Sequence, residues 1–399
     1  MNDLGLTFDE ETLSPGRHRR RRRKGQSGPG EPRRRGRSLT ALLIVTLILG
    51  GLGAGTWWGV NWVREALTAP DYTGSGVGSV QIEVLPGQTA AQIAQTLYEA
   101  GVVASPQAFV EAAQADPDSR NIQPGVYELP QQLPAATALR MLLDLNNRLV
   151  NQVTIPEGLS SFRTFQLLSD QLGIPVEEFE KAAEDPIALG VPEWWFNRTD
   201  GKETPKSIEG FLFPSTYEFP PDPTAEQVLG IMVDQFLTVV ERIGFVETVE
   251  NERNIAPYEA LIVASLAQAE AGVEEDLGRV ARVAYNRIYV HGMPLEFDVT
   301  VNYWFELTGQ ETKSSAEMTQ AELYDPENPY NRGIEGLVPT PINNPGQAAL
   351  EAAMDPPPGD WLFFVAIDRE GNSAFSATWD EFCQDVQKAI EAGILNDPC

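Results

Sequence analysis

Glu270 has the sequence surroundings that most favour catalysis in this 399-residue chain. It lies in the stretch ASLAQAEAG, residues 264–272, which is otherwise built of small, apolar and uncharged residues. Ile262, Leu266 and Glu270 recur at helical spacing, so the carboxyl is predicted to face inward with the apolar side chains. Burial disfavours the charged form of a carboxyl and raises its pKa, which is what a general acid needs near neutral pH. The pattern therefore indicates a proton donor.

The same pattern also fits a purely structural carboxyl. The next predicted helix supplies Arg279, Arg282 and Arg287, and any of them could pair with a buried glutamate. Spacing alone leaves both interpretations of Glu270 open.

Other catalytic chemistries find few suitable residues. The chain has two histidines and two cysteines: His18, His291, Cys383 and Cys399. His18 precedes an apolar stretch, and the residues around His291 do not resemble a nucleophile elbow, so a Ser-His or Cys-His nucleophile is not expected. One histidine with two distant cysteines does not suit a structural zinc site, and no phosphate-binding glycine motif occurs. We therefore expect no metal and no cofactor. Whether the two cysteines form a disulfide stays open.

Several polar and aromatic side chains could accompany Glu270 in a substrate site. Asp298 could join the site or instead cap a turn through Thr300. Tyrosines could stack on sugar rings, although aromatic side chains more often belong to the core. The candidate substrate-binding residues are Asn286, Asp298, Thr300, Tyr303, Tyr217 and Asn344.

Helices must position these residues. Pro257 suits the first turn of a helix, which we predict over residues 257–273, with a second helix over 276–290. Residues 362–367 read as a buried strand with a hairpin partner at 373–377. Helices and a separate hairpin predict an α+β fold for this part of the chain.

A small β-α-α-β unit is predicted nearer the N-terminus. Residues 80–84 alternate as a strand, and Thr89 with Gln92 forms a capping-box pattern that begins a helix. A second helix over 106–115 and a return strand over 125–129 complete the unit.

The first part of the chain suggests a membrane anchor. Residues 38–63 carry no charge over 26 residues, enough to span a hydrocarbon core of about 30 Å. Trp57, Trp58 and Trp62 cluster at its far end, and an arginine-rich run precedes it, so the N-terminus is predicted to be cytoplasmic. A cleaved signal peptide is the alternative, but its basic region would be unusually long and no A-x-A site follows.

Charge argues against nucleic acid as a partner. The formal net charge is -28, and residues 1–37 hold eleven of the 29 Lys and Arg but only five of the 57 Asp and Glu. The rest of the chain is therefore strongly acidic and would repel phosphates.

The order of several sequence blocks resembles the YceG-like endolytic murein transglycosylases, the MltG family. The blocks are VLPGQTAAQIAQTL at 84–97, VTIPEG at 153–158, EGFLFPSTYEF at 209–219, ASLAQAEAG at 264–272, VARVAYNRI at 280–288, LEFDVTVNY at 295–303, PYN at 329–331 and GLVPTPINNPG at 336–346. The resemblance implies that Glu270 is the catalytic acid. It implies a single-pass enzyme of the cell membrane, with an extracytoplasmic catalytic domain that cuts peptidoglycan glycan strands between N-acetylmuramic acid and N-acetylglucosamine and leaves 1,6-anhydro ends. It also suggests cell-wall synthases as partners.

The sequence departs from the family pattern at several positions. Gln268 stands where many members carry a glutamate, so no acid role transfers there. The other departures are Val299 in place of proline, Arg332 in a shortened PYNTY block, and Ser373, Phe382 and Cys383 near the C-terminus. They leave an alternative open, a membrane-anchored scaffold that binds peptidoglycan but is catalytically impaired.

The predicted organisation has five parts. They are a disordered basic tail (1–37), a transmembrane helix (38–63), a linker (64–79), a LysM-like subdomain (80–150) and an α+β catalytic domain (151–399).

Overall fold

The computed structural model describes residues 56–58, 69–396 and 398–399. It divides the chain into two units, Met1–Ala69 and Pro70–Cys399. In the first unit, residues 56–58 are helical. The predicted basic tail and most of the predicted transmembrane segment lie outside the described residues. Within the described ranges, no helix has both the length and the apolar character needed to cross a membrane.

The second unit begins with three strands and three helices. They are β1 (Val77–Val84), α1 (Ala90–Glu99), α2 (Pro106–Ala115), β2 (Gly125–Gln131), α3 (Ala135–Leu143) and β3 (Arg148–Leu149). The strands form an antiparallel sheet in the order β1-β2-β3, with Ile82 opposite Tyr127. Thr89 and Gln92 make the predicted capping box of α1. The apolar stripe of that helix, Ile93, Ala94 and Leu97, is buried.

The remaining elements are mostly helical. They are β4 (Asn151–Thr154), α4 (Ser161–Leu172), α5 (Val176–Ala183), β5 (Thr216–Phe219), α6 (Ala225–Arg242), α7 (Phe245–Thr248), α8 (Pro257–Glu270), α9 (Leu277–Tyr285), α10 (Asp298–Leu307), α11 (Gln320–Leu323), α12 (Gln347–Met354), β6 (Phe363–Ala366), β7 (Ser373–Ser376) and α13 (Trp379–Glu391). Strand β4 pairs with β5 and β6 pairs with β7, both antiparallel. Two small sheets among many helices give the α+β fold that the sequence predicts.

Helix α8 is the centre of the core. Every residue from Pro257 to Ala267 is buried, and the helix packs against both α9 and α12. The sequence predicts one inward-facing stripe, but the helix is apolar on all sides, as expected for a helix surrounded by protein. It also ends at Glu270 rather than at residue 273, because Ala271 adopts extended dihedral angles of φ -74° and ψ 123°. The end of the helix, and not its periodicity, therefore sets the position of the carboxyl.

The β6–β7 hairpin is held against the end of α8. Gly272 and Gly371 touch through their backbones, and a Cβ atom on Gly272 would lie 2.5 Å from the carbonyl oxygen of Gly371. Helix α13 packs on the same hairpin, and Cys383 in this helix forms a disulfide with Cys399.

Candidate functional site

Glu270 opens onto a cavity of about 380 Å³, which we call the acid cavity. Part of its lining is charged and part is aromatic. The charged residues are Glu270, Arg287, Glu296, Asp298 and Arg332. The aromatic wall consists of Phe363, Phe364, Trp379 and Phe382, and the Arg287 guanidinium lies over the Phe363 ring. The remaining lining residues are Phe297, Val299, Asn302 and Ser315.

The environment of Glu270 favours its neutral form. The side chain is half-buried at the C-terminal end of α8, where the helix dipole disfavours negative charge. Burial raises the pKa of Glu270 to about 7, and the negative charge of Asp298 adds to the rise. The backbone N–H of Val299 and the charges of Arg332 and Arg287 oppose it. Near pH 7 the carboxyl can therefore both donate and accept a proton.

The structure removes the alternative of a structural ion pair with the next helix. Arg279 pairs with the aspartate three residues before it. Arg282 donates to two proline carbonyls, and Arg287 pairs with Glu296 at 2.9 Å. Within the residues described, Glu270 forms no ion pair, so its carboxyl stays available to a ligand.

Asp298 lines the acid cavity. It is the first residue of α10, and its Oδ1 lies 3.2 Å from Nε of Arg332. The predicted turn cap through Thr300 is not formed. The Thr300 hydroxyl is buried and contacts two main-chain carbonyls, 2.8 Å from Phe297 and 2.6 Å from Tyr330.

A second cavity of about 380 Å³ adjoins the first, and we call it the neighbouring cavity. Both are lined by Val299 and Asn302, so the two spaces meet at the first turns of α10. The lining of the neighbouring cavity is mainly polar and includes Glu157, Ser160, Arg163, Gln268, Tyr303, Glu306 and Asn343.

A buried carboxyl that the sequence analysis did not single out organises this region. Glu209 is 2 % exposed and accepts hydrogen bonds from Ser161 N at 2.9 Å, Tyr303 Oη at 3.0 Å and Asn344 Nδ2 at 3.3 Å. Burial raises the pKa of Glu209 to about 8. The available signal was a lone acid in the otherwise apolar and aromatic block EGFLFP.

Three predicted substrate-binding residues have their polar groups occupied inside the protein. Asn286 donates to the carbonyls of Gly359 and Trp361, both at 2.9 Å. The Tyr217 hydroxyl donates to Phe213 O at 2.5 Å. Asn344 Oδ1 accepts from Gly210 N and Leu212 N, while its Nδ2 also donates to Leu159 O. The structure places none of the three in the lining of the acid cavity. Tyr303 lines the neighbouring cavity instead.

The aromatic wall was missed because its residues read as a buried strand and a terminal helix. Phe363 and Phe364 come from β6, while Trp379 and Phe382 come from α13. The ring centroids of Phe363 and Trp379 are 5.6 Å apart, yet the Trp379 side chain is 56 % exposed. An exposed indole beside an acid is a suitable surface for the apolar face of a sugar.

The positions that depart from the family pattern fall in or beside the same region. Val299, Arg332 and Phe382 line the acid cavity. Ser373 N donates to Asp276 at 2.8 Å, and Cys383 is in the disulfide.

In the described part of the chain, no group of three His, Cys, Asp or Glu side chains is arranged to hold a metal ion.

The chain is similar over most of its length to known proteins. The chain is 27 % identical over 323 residues to an endolytic murein transglycosylase of Bacillus subtilis, covering 79 % of this chain and 86 % of that protein. It is 24 % identical over 359 residues to a protein of the same name from Streptococcus pneumoniae, covering 86 % of this chain but only 63 % of that longer protein. A crystal structure of a YceG-like protein from Listeria monocytogenes is 25 % identical and covers 76 % of this chain and 97 % of that one, with a TM-score of 0.49.

The model of the YceG-like family matches residues 82–388, most of the chain. The protein is therefore a member of the YceG-like family.

Proposed function

We propose that the protein is an endolytic murein transglycosylase. It cleaves the β-1,4 bond between N-acetylmuramic acid and N-acetylglucosamine within glycan strands and leaves a 1,6-anhydro end. The observation that carries the proposal is Glu270, a half-buried carboxyl with a pKa of about 7 and no ion-pair partner among the described residues, opening into a cavity. The names of the B. subtilis and S. pneumoniae relatives support it.

Glu270 acts first as an acid. Its proton moves to the glycosidic oxygen, the bond from that oxygen to C1 of the muramyl unit breaks, and the departing sugar leaves with a hydroxyl at C4. The carboxylate that remains then accepts the proton of the muramyl C6 hydroxyl while this oxygen bonds to C1. No water is consumed, and Glu270 ends protonated as it began.

One carboxyl is enough for this reaction. Ordinary glycosidases use two, because a water molecule or the enzyme supplies the nucleophile. The other two acids of the acid cavity are paired with arginines: Glu296 with Arg287, and Asp298 with Arg332. Glu270 is the acid of this cavity that lacks such a partner, which suits a reaction whose nucleophile belongs to the substrate.

The shape of the region suits a polymer. The acid cavity, which Glu270 lines, and the neighbouring cavity meet beside Val299, so a strand that passes Glu270 can continue into the neighbouring cavity. An endolytic enzyme needs this arrangement because it cuts inside a strand. The exposed Trp379 offers a stacking surface on the acid side, and the polar lining of the neighbouring cavity offers hydrogen bonds.

The test is the Glu270→Gln variant, which keeps the size of the side chain and cannot donate the proton. Purified glycan strands are digested, and the fragments are analysed by mass spectrometry. We expect anhydro-ended fragments from the unchanged protein and a loss of at least about a thousandfold from the variant, since the general acid step and its base step are both removed. Asp234→Asn, a change on α6 outside both cavities, serves as the control.

The same assay separates the alternatives. Reducing ends in place of anhydro ends would indicate a hydrolase. No cleavage by the unchanged protein, together with binding to strands, would indicate the scaffold alternative. Normal cleavage by Glu270→Gln would refute the role of Glu270.

We also propose the wider organisation that the sequence suggests. Residues 38–63 anchor the protein in the cell membrane with the N-terminus in the cytoplasm, and the catalytic domain at 151–399 faces the peptidoglycan outside. Residues 80–150 are a LysM-like subdomain, a proposal supported by the order of β1, α1, α2 and β2. We also propose that cleavage limits or terminates the elongation of nascent strands. Cell-wall synthases are the proposed partners, because this role requires access to growing strands.

A further inference from the structure

Arg332 differs from the other arginine of the acid cavity in how its guanidinium is used. Arg287 is 7 % exposed and donates to Leu362 O, Leu295 O and Glu296. Its donors are thus largely occupied within the protein. Arg332 is 26 % exposed, and its described side-chain contact is the one between its Nε and Asp298 Oδ1.

The contact with Asp298 leaves half of the guanidinium free. The two atoms are 3.2 Å apart but are not aligned as a hydrogen bond, and neither has another hydrogen-bond partner within the described residues. A guanidinium has two edges, and Asp298 touches only the Nε side. The Nη side presents parallel N–H groups, and such a pair matches the two oxygens of a carboxylate.

The charge of the cavity permits a further anion. Arg287 balances Glu296, and Arg332 balances Asp298. Glu270 is the remaining acid and is neutral when it is ready to act. A bound carboxylate would therefore meet a site without net charge, in a cavity that Arg332 also lines.

We propose that Arg332 binds a carboxylate carried by the muramyl unit of the substrate, and so selects strands by the state of that side arm. The inference rests on the proposed function, because the cleaved bond places a muramyl unit in the acid cavity. The lactyl group of muramic acid ends in a carboxylate when no peptide is attached and in an amide when a stem peptide is present, in which case stem carboxylates lie nearby.

Binding is measured in the Glu270→Gln background, which holds strands without cutting them. The probes are four tetrasaccharides of alternating N-acetylglucosamine and N-acetylmuramic acid, arranged as two pairs. In the first pair, one probe has free lactyl carboxylates and the other has lactyl carboxamides. In the second pair, both probes carry stem peptides, with free carboxylates in one and amidated carboxylates in the other. Titration calorimetry gives the dissociation constant of each probe for the Glu270→Gln variant and for double variants that also carry Arg332→Gln or Arg332→Lys.

We expect a carboxylate-bearing probe to bind about tenfold or more tightly than its carboxamide counterpart. Arg332→Gln should bring the ratio of the two dissociation constants to about one. Arg332→Lys should keep only part of the difference, because lysine lacks the planar guanidinium group. Any effect of the Arg332 substitution on folding changes the binding of both probes and cancels in the ratio of their dissociation constants. Discrimination within the first pair identifies the lactyl carboxylate, and discrimination within the second pair identifies a stem carboxylate.

Equal binding of both members of each pair would overturn the inference, as would a ratio that survives Arg332→Gln. Failure of every probe to bind would overturn it as well. Cleavage by the unchanged protein is measured separately. If the unchanged protein cleaves strands but the Glu270→Gln variant binds both probes of each pair equally, only the role of Arg332 fails. If the Glu270→Gln variant discriminates between the probes but the unchanged protein cleaves nothing, only the transglycosylase function fails.

Discussion

The hydroxyl of Tyr303 donates a hydrogen bond to the buried carboxyl of Glu209 across 3.0 Å. This bond joins α10, the helix that begins with Asp298, to the core block that follows residue 208. A substrate-binding role was predicted for Tyr303 from its aromatic character, but its polar group serves the interior of the protein. The position of the first turn of α10, and with it Asp298, therefore depends on a buried contact one turn away.

Tyr303→Phe should lower the free energy of unfolding by about 1–3 kcal/mol, since it leaves a buried acceptor with one donor fewer. Urea unfolding followed by circular dichroism measures the change. Tyr324→Phe is the matched control, because that ring is 43 % exposed and its hydroxyl makes no described hydrogen bond. Equal stability of the two variants would contradict the role of the contact.

Charges beside Glu270 should move the alkaline limb of the pH–rate profile in opposite directions. Cleavage needs protonated Glu270, so the rate falls as pH rises through its pKa of about 7. Asp298→Asn removes a negative charge, lowers this pKa and moves the limb to lower pH. Arg332→Gln removes a positive charge, raises the pKa and moves the limb to higher pH. The double variant should lie between them, and shifts in one common direction would refute the electrostatic account.

The valine at position 299 gives Glu270 a backbone donor that a proline at this position would lack. Its N–H stabilises the carboxylate form of Glu270. Val299→Pro should therefore raise the pKa of Glu270 and move the alkaline limb to higher pH, while the fold persists because proline is tolerated in the first turn of a helix. Val299→Ala keeps the N–H and is the control. A limb that shifts equally in both variants would assign the effect to the lost side chain instead.

The aromatic wall should contribute to substrate binding. Trp379→Ala is expected to raise KM by about two- to tenfold with little change in kcat, which corresponds to the loss of one stacking contact. Trp194→Ala is a suitable comparison, since that indole is 45 % exposed but lines neither the acid cavity nor the neighbouring cavity. An unchanged KM for the Trp379 variant would remove the wall from the binding surface.

The disulfide should stabilise the part of the chain that carries Trp379. Cys383 and Cys399 are 16 residues apart, and a closed loop of that length contributes about 3 kcal/mol in the chain-entropy model. Cys383→Ser should therefore lower the melting temperature, and dithiothreitol should lower that of the unchanged protein to a similar value. Dithiothreitol should not affect the variant. A variant that melts like the oxidised protein would show that the bond adds no stability.

The capping box of α1 and the α+β class can be predicted from neighbouring residues, as can Glu270 itself, a charge in an apolar run. Of the surroundings of Glu270, the sequence predicts Asp298 but not the aromatic wall. The predicted stripe is absent because the helix is buried on all sides. Burial is the main cause of the raised pKa of Glu270, and the charges of Asp298 and Arg332, which lie far along the chain, modify it.

Residue type alone could not separate a ligand-binding side chain from a structural one. Asn344 and Tyr217 are equally suited to either role, and their partners decide it. Asn344 meets Glu209 across 135 positions of sequence, a contact that no local pattern encodes. The aromatic wall shows the converse, because Phe363 and Trp379 have the composition of a core and become a surface only once β6 and α13 come together.

The backbone contact between Gly272 and Gly371 has a consequence for redesign of the specificity of this protein. It fixes the spacing of the acid and the β6–β7 hairpin through main-chain atoms, so the hairpin can accept new side chains without moving relative to Glu270. Libraries at Phe363 and Phe364 would therefore vary what the pocket recognises while the geometry of catalysis is retained. The two glycines should be left unchanged, since even a methyl group at Gly272 would push apart the parts that a redesign needs to keep together.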